Sequence, residues 1–194
     1  MKKIVILNAP ARCGKDTIAD ALQEEISSLK RASFKWPLFD IFANTMGMQM
    51  EEFLTLYETD GWKDTPNEAL NGQTPRALMI HISEGFIKPF FGNKYFGDWI
   101  GQFIKLHEQQ AEEEMAWIIP DGGFDAEVEV LAEMFPNRVM VVQVSRLGFT
   151  DFTGDSRGWI SPELSEKGVN FLIADTSGGN QDLIDTLKRT ITAK

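Results

Sequence analysis

Four segments of the chain consist of apolar residues that follow one another without the alternation of a half-exposed strand. Such runs are typical of strands buried on both faces of a parallel sheet. They cover residues 3–8, 116–120, 138–144 and 170–174, and a weaker fifth run covers about 31–35. The pattern predicts five strands.

Between these runs, hydrophobic residues recur at every third or fourth position, which predicts helices. The helical sets are Ile18, Leu22, Ile26 and Leu29; Val128, Leu131 and Phe135; and Leu183, Ile184, Leu187 and Ile191, with Asn180 as the expected N-cap of the last helix. Strands that alternate with helices predict an α/β fold, here a parallel five-stranded sheet with helices on both faces. Ligands of such folds bind at the carboxyl ends of the strands.

The alternation is interrupted by a mostly helical stretch at about 36–115, which is rich in Phe and Trp. Within it, Thr74, Pro75 and Arg76 form a typical helix start. A chain of 194 residues suits one α/β domain with a full core. We therefore expect a single domain over 1–194, with a helical insertion and a polar, lid-like loop at about 147–168.

The segment directly after the first apolar run reads A-P-A-R-C-G-K-D-T and covers residues 9–17. A buried strand that leads through a glycine-lysine loop into a helix predicts a phosphate cradle, because loop N–H groups and the helix dipole both favour anions. Lys15 is expected to reach the β/γ-phosphates of a nucleoside triphosphate. The residues assigned to the nucleotide are Ala11, Arg12, Cys13, Gly14, Lys15, Asp16 and Thr17.

Two positions depart from the usual P-loop pattern. Ala9 replaces a glycine, which is tolerable if its φ is negative. Asp16 stands where Ser or Thr usually coordinates Mg²⁺, with Thr17 next to it, and its carboxylate suits that cation. Cys13, the only cysteine, is expected to be a small filler in the loop.

Other polar residues follow the predicted strands. Asp121 is expected to be a second metal-linked acid, with a cap for a helix near Asp125 as the alternative. Arg146 and Arg157 are expected to stabilise charge on a transferring phosphoryl group, although Arg157 also suits a surface turn. The loop after the last strand contains residues suited to contact an adenine edge, or to form an ordinary turn: Thr176, Ser177 and Gly178.

Composition limits the expected partners. The net charge is −10 and the pI about 4.7, which argues against a nucleic-acid groove. The chain lacks an apolar span of membrane length or a signal-peptide pattern, and its lone cysteine suits a reducing cytoplasm. We expect a cytoplasmic protein that binds small-molecule nucleotides without nucleic acid or membrane, as a monomer or homodimer.

Several motifs together resemble those of bacteriophage-type deoxynucleoside monophosphate kinases. They are G-K-D-T from Gly14, S-F-K-W-P from Ser33, T-P-R-A-L from Thr74, and I-I-P-D, ending at Asp121 and followed by Phe and Glu. The resemblance extends from Lys3 to about Ile191. It implies a P-loop nucleoside-kinase fold that uses ATP and Mg²⁺ to make deoxynucleoside diphosphates.

The resemblance also implies residue roles. Asp16, Thr17 and Asp121 would hold Mg²⁺. The acceptor side would include Lys35, Arg76 and Lys88, and Glu84 is assigned there as well. Trp36 and Trp99 are expected to stack on the acceptor base, with a role in the core as the alternative. These kinases often have an arginine two positions after the strand-end aspartate, where this chain has Gly123. Either one acceptor contact is lost, or Lys88 or Lys94 supplies the charge.

Two other functions remain open at this stage. One is a P-loop kinase for a non-nucleotide acceptor of the dephospho-coenzyme A or phosphomevalonate type, since the G-K-D form also occurs in the latter. The other is an inactive nucleotide-binding module, which the changes at Ala9 and Gly123 would favour if the acceptor site were also dismantled.

Overall fold

The computed structural model describes residues 2–152 and 156–193. Its five strands form one sheet in the order β2-β3-β1-β4-β5, and every neighbouring pair is parallel. The strands are β1 (Ile4–Asn8), β2 (Leu29–Arg31), β3 (Ala116–Gly122), β4 (Val139–Ser145) and β5 (Asn170–Asp175). The predicted α/β fold with a parallel five-stranded sheet is confirmed.

Eight α-helices occur in the described residues. They are α1 (Lys15–Glu25), α2 (Trp36–Thr45), α3 (Met50–Glu58), α4 (Pro75–Ile80), α5 (Lys88–Phe91), α6 (Tyr95–Ala111), α7 (Asp125–Met134) and α8 (Gln181–Thr192). A π-helix, His81–Ile87, joins α4 to α5, and short 3-10 helices cover Trp62–Asp64, Glu68–Leu70 and Pro162–Lys167. No helix among the described residues is long and apolar enough to cross a membrane.

Helices cover both faces of the sheet. On one face, alternate residues of β1 and β3, such as Val5 and Ile118, join a buried cluster with the apolar sides of α1 and α8. On the opposite face, Trp117 of β3 packs edge-on against Phe103 of α6, with ring centroids 5.9 Å apart. Both faces of the central strands are therefore covered, which explains their continuous apolar runs.

The chain divides into two compact units, Lys35–Phe96 and the remainder, Met1–Phe34 with Gly97–Lys194. The first of these, which we call the helical unit, begins where the insertion was expected to begin, but it ends at Phe96 and not at about 115. Its centre is aromatic: Phe53 lies between Phe39 and Phe42, with ring centroids 5.1 Å from each. Trp62 packs edge-on against Phe42 and Phe53. The remainder, which we call the sheet unit, contains all five strands.

The weak fifth strand was predicted too late in the chain. It spans Leu29–Arg31 instead of about 31–35, and Leu29 belongs to this strand and not to the preceding helix, which ends at Glu25. The Ala32 N–H still donates to the Ile118 carbonyl of β3, and the next donors then bond to a side chain instead. Ser33 Oγ and the Phe34 N–H both donate to the Asp121 carboxylate.

A partly buried ion pair joins α6 to the sheet. Both guanidinium Nη atoms of Arg138 donate to Glu108, at 2.9 and 2.6 Å, and Arg138 Nε donates to the Lys2 carbonyl. Glu108 also accepts from Trp117 Nε1 and from the Met115 N–H. The Glu108 and Arg138 side chains are only 12% and 6% exposed.

Candidate active site

The segment between β1 and α1 forms a tight loop around the start of the helix. Arg12 and Gly14 have positive φ angles of 66° and 80°, whereas Ala9 is not among the residues with positive φ. The condition under which alanine can replace glycine at position 9 is therefore met. Helix α1 begins at Lys15, immediately after the loop. This is the geometry in which loop and helix N–H groups converge on an anion.

Lys15 folds back over this loop. Its Nζ donates to the carbonyl oxygens of Ala9 and Pro10, at 2.7 and 2.6 Å, and the residue is 8% exposed. Two loop carbonyls therefore hold the Lys15 ammonium group against the loop. The side chain lies where the sequence placed it, at the carboxyl end of β1.

Asp16 lies in the first turn of α1 and forms an ion pair with Arg31 of β2. Arg31 Nη2 lies 2.7 Å from Asp16 Oδ1, and Arg31 Nη1 also bonds Asp20. The Asp16 side chain is 76% exposed, and Thr17 beside it is exposed as well. Asp16 is accessible to a cation, but Arg31 competes for the same carboxylate oxygen.

Asp121 is buried at the carboxyl end of β3. Ser33 Oγ donates to Asp121 Oδ2 at 2.7 Å, and the Phe34 N–H donates to Oδ1 at 3.2 Å. Helix α7 instead begins after Phe124, with no side-chain cap. The alternative role of Asp121 as a cap for that helix is therefore wrong.

Cys13 connects the loop to the end of β4. Its buried thiol donates to the Phe149 carbonyl at 3.2 Å, and Phe149 closes a turn with Arg146. Burial raises the pKa of the Cys13 thiol, although the positive charges of Lys15 and Arg146 act in the opposite direction. The thiol is thus a packing group, as expected, and Arg146 is close enough to influence it.

The loop after β5 joins the same edge of the sheet. Thr176 is buried and donates from its N–H and Oγ1 to the Ser145 carbonyl. Ser177 accepts from the Leu147 N–H and donates to Asp175. These two predicted residues therefore hold the ends of β4 and β5 together, while Gly178 is exposed.

Asn180 heads α8, as predicted, but its side chain makes no capping bond. It lies instead beside the loop between β1 and α1, because a Cβ on Gly14 would be 3.0 Å from Asn180 Nδ2. A cavity of about 580 Å³ adjoins this point, lined by Leu172 to Asp175, Gly178, Gly179 and the first turns of α8. Gly14 thus needs to be glycine both for its φ and for this close approach.

Arg157 lies against the loop after β3. A Cβ on Gly123 would be 2.6 Å from Arg157 Cγ, so the arginine stem occupies the space over that glycine. The Gly158 N–H donates to the Gly123 carbonyl, and Asn8 bonds both Gly158 and Ile160. Residues 153–155 of the expected lid-like loop lie outside the described residues.

The helical unit contains most of the residues expected on the acceptor side. Lys35 precedes α2, where Trp36 is the first residue, and Lys35 Nζ lies 3.4 Å from the Tyr57 hydroxyl. Arg76 makes a bidentate bond to Asp64, at 2.6 and 3.0 Å. The hydrogen bond from Arg76 lowers the pKa of Asp64.

Glu84 and Lys88 form an ion pair of 2.6 Å across the π-helix. The Lys88 side chain is only 9% exposed, whereas that of Glu84 is 39% exposed. Trp99 belongs to the sheet unit, where it stacks on Phe103 at a centroid distance of 5.7 Å. This stack is a packing contact within α6, and the expected contact of Trp99 with an acceptor stays a prediction.

Sequence reasoning missed four groups that support the site: Asn8, Arg31, Ser33 and Phe149. Asn8 gave the clearest signal, because an amide at the end of an apolar run must find hydrogen-bond partners. The other three depend on long-range contacts that have no local signature.

The carboxylates at this edge suit Mg²⁺ held together with a nucleotide. Asp16 is exposed in the first turn after the loop, and Asp121 ends the neighbouring strand. No three His, Cys, Asp or Glu residues within 2–152 and 156–193 form a cluster that could hold a metal by itself. Magnesium bound with a nucleotide needs only one or two carboxylates, because phosphate oxygens and water supply the rest.

No protein-family model matches this chain, and no curated protein matches its sequence. The strand order and the parallel sheet are consistent with a P-loop-like topology.

Proposed function

We propose that this protein transfers the γ-phosphoryl group of ATP to a deoxynucleoside monophosphate in the presence of Mg²⁺. The observation that carries the proposal is the loop after β1. Two positive φ angles, at Arg12 and Gly14, curl it around the ammonium group of Lys15 at the start of α1. Few ligands other than a phosphate chain suit that arrangement.

The cations near the loop fit the chemistry of phosphoryl transfer. Lys15 and Arg146 both lie close enough to the Cys13 thiol to oppose the rise in its pKa. Positive groups fixed beside a transferring phosphoryl group stabilise the charge that spreads over its oxygens. In this proposal Asp16, Thr17 and Asp121 hold Mg²⁺, which neutralises phosphate charge when it is bound.

The acceptor needs little activation, because a monophosphate is already an anion at neutral pH. The task of the protein is to bring two anions together and to exclude water. Arg76 is suited to this task, since its bidentate bond to Asp64 has the geometry with which arginine binds a phosphate. The assignment of a deoxynucleotide acceptor rests on the motif resemblance.

A panel of acceptors tests the proposal. ADP formation would be measured with ATP and Mg²⁺ against each deoxynucleoside monophosphate, dephospho-coenzyme A, phosphomevalonate and no acceptor. We expect turnover only with one or more of the monophosphates. Turnover with another acceptor would identify a different P-loop kinase. Nucleotide binding without turnover on any acceptor would identify a binding module.

The matched control is the Lys15→Met protein, purified in the same way. Methionine keeps the aliphatic stem but removes the ammonium group, so activity from a contaminating kinase would persist in this sample. Activity that is equal in both preparations would contradict the proposal.

A further inference from the structure

Gly123 lies two residues after Asp121, in the loop that follows β3. Its φ is not in the left-handed region, so its backbone conformation alone does not require glycine. The space around it does. A Cβ at this position would lie 2.6 Å from Arg157 Cγ and 2.8 Å from Cδ, and closer still to Cβ. Contacts under 3.0 Å are essentially never seen for a real Cβ, so an alanine would displace the arginine.

The backbone that carries Arg157 cannot easily retreat from such a side chain. The Gly158 N–H donates to the Gly123 carbonyl at 3.0 Å, and its carbonyl accepts from Asn8 Nδ2 at 2.9 Å. The Ile160 N–H donates to Asn8 Oδ1 at 3.0 Å in a buried position. Rotation of the Arg157 side chain would move Cγ and Cδ but not Cβ, which is the closest of these atoms. A Cβ at position 123 must therefore displace the Arg157 backbone and strain the three hydrogen bonds that fix this segment.

We propose that Gly123 is a positioning residue for Arg157. Its missing side chain makes room for the stem of Arg157 against the loop that follows β3, at the carboxyl edge of the sheet. Arg157 then serves there as the phosphate-binding cation. The catalytic part of this inference rests on the proposed function, whereas the placement of Arg157 does not.

This arrangement accounts for the glycine where related motifs have an arginine. In this proposal Arg157, thirty-four positions later in the chain, supplies the cation, and the glycine makes room for its stem. An arginine and a glycine that are distant in sequence therefore depend on each other for this role.

Trypsin cleavage tests the placement of Arg157 against Gly123 independently of any enzymatic activity. The bond between Arg157 and Gly158 would be cut in the native protein and followed by mass spectrometry, with the cut after Lys94 as an internal reference. Both polar groups of Gly158 are bonded, so cleavage of the wild type should be slow. We expect Gly123→Ala to accelerate it by about tenfold, because local opening frees the arginine. An unchanged rate would overturn the inference.

Steady-state kinetics test the proposed catalytic role of Arg157. We expect Arg157→Ala to reduce turnover by about a hundredfold, as for loss of a transition-state charge contact. Gly123→Ala should reduce it by about tenfold, and the double variant should be no slower than Arg157→Ala, because the two residues act as a unit. The control is Gly158→Ala, whose Cβ would meet nothing within 4 Å. It should stay within about twofold of wild type.

The outcomes separate the two proposals. If the wild type phosphorylates no acceptor, the proposed function fails. The trypsin experiment alone then tests whether Gly123 positions Arg157. If the enzyme is active but Arg157→Ala turns over normally, Arg157 is not the phosphate-binding cation and this inference is wrong. The inference also fails if Gly123→Ala slows the Arg157→Ala protein further by the same factor, since Gly123 would then act by another route.

Discussion

At the scale of single residues, three charged side chains to which the proposed function gives a role already have partners within the protein. Lys15 bonds two loop carbonyls, Asp16 bonds Arg31, and Arg76 bonds Asp64. A substrate that binds as we propose must therefore compete with these existing contacts. Each substitution below is therefore compared with a control that changes a neighbouring or partner residue.

Replacement of Lys15 by methionine should reduce turnover by on the order of 10³-fold, because a transition-state charge contact is lost. The side chain also closes the loop through its bonds to Ala9 and Pro10, so a modest loss of stability should accompany it. Lys30→Met on the exposed side of β2 is the control and should leave turnover unchanged. Retention of a tenth of the activity by Lys15→Met would contradict the P-loop assignment.

Asp16→Asn should raise the Mg²⁺ concentration needed for half-maximal turnover by about tenfold, as for loss of a metal-supporting group. Asp20→Asn is a matched control, because Asp20 bonds the same arginine without standing next to the phosphate loop. A magnesium titration of each variant measures the effect. If the Asp16→Asn curve superimposes on that of wild type, Asp16 has no metal role and Thr17 would have to supply it.

Arg76→Ala should raise the KM for the monophosphate by about tenfold or more while changing the KM for ATP little, because a bidentate cation is lost from the acceptor side only. Asp64→Asn removes the carboxylate that bonds Arg76 but keeps the arginine, and should not weaken acceptor binding. Steady-state kinetics with each substrate varied in turn distinguish the two. Equal KM values for the acceptor in wild type and Arg76→Ala would place the acceptor phosphate elsewhere.

At the scale of secondary structure, the start of α4 illustrates how local sequence fixes an element. Thr74 Oγ1 accepts from the Ala77 N–H at 3.1 Å, and Pro75 occupies the first helical turn. Thr74→Ala should lower the free energy of unfolding of the helical unit by about 1 kcal/mol. Thr74→Ser should recover most of the loss, since it keeps the accepting oxygen. Urea denaturation of the three proteins measures this, and equal stability of the alanine and serine variants would contradict the capping role.

Local patterns predicted the elements whose hydrophobic positions are buried by the sheet. The four long strands, the helix start at Thr74 and the head of α8 at Asn180 all follow from such patterns. The short strand at Leu29 was misplaced because its pairing ends where Asp121 attracts the next donors. That carboxylate is almost ninety residues away in sequence, so its effect has no local signature.

The same distinction applies to the candidate site. The loop at 9–17 was readable because strand, glycine, lysine and helix are consecutive. Two other contacts of the site, Asp16 with Arg31 and Arg157 with Gly123, join residues that only the folded chain brings together. Sequence reasoning identified the charged residues and missed the groups that hold them.

At the scale of the whole molecule, stability should depend on pH through Glu108. Burial raises the pKa of this carboxyl, but bonds from Arg138, the Met115 N–H and Trp117 outweigh it and hold the pKa below its ordinary value of 4.5. A depressed pKa means that the stabilising contribution is complete above about 4.5 and is lost as the pH falls through the folded-state value.

Glu108→Gln should therefore cost about 3 kcal/mol at neutral pH, because Arg138 loses its buried partner, and the difference from wild type should shrink below pH 4.5. Chemical denaturation at pH 7 and at progressively lower pH measures this. Glu113→Gln, at an exposed position just beyond α6, removes the same charge as a control. A constant difference between Glu108→Gln and wild type at every pH would contradict the ion pair as its source.

The chain has a single thiol, and it lies inside the loop that should hold phosphate, bonded to the turn after β4. Because only the thiolate reacts readily, and burial both hides the sulfur and disfavours its ionisation, an alkylating reagent should modify Cys13 only when the loop and the turn separate. The alkylation rate therefore reports how often the loop and the turn separate, and it can be measured without any substitution. Nucleotides that bind and close the loop should slow the alkylation of Cys13. The rates with different nucleotides would then rank their affinities without any measurement of turnover.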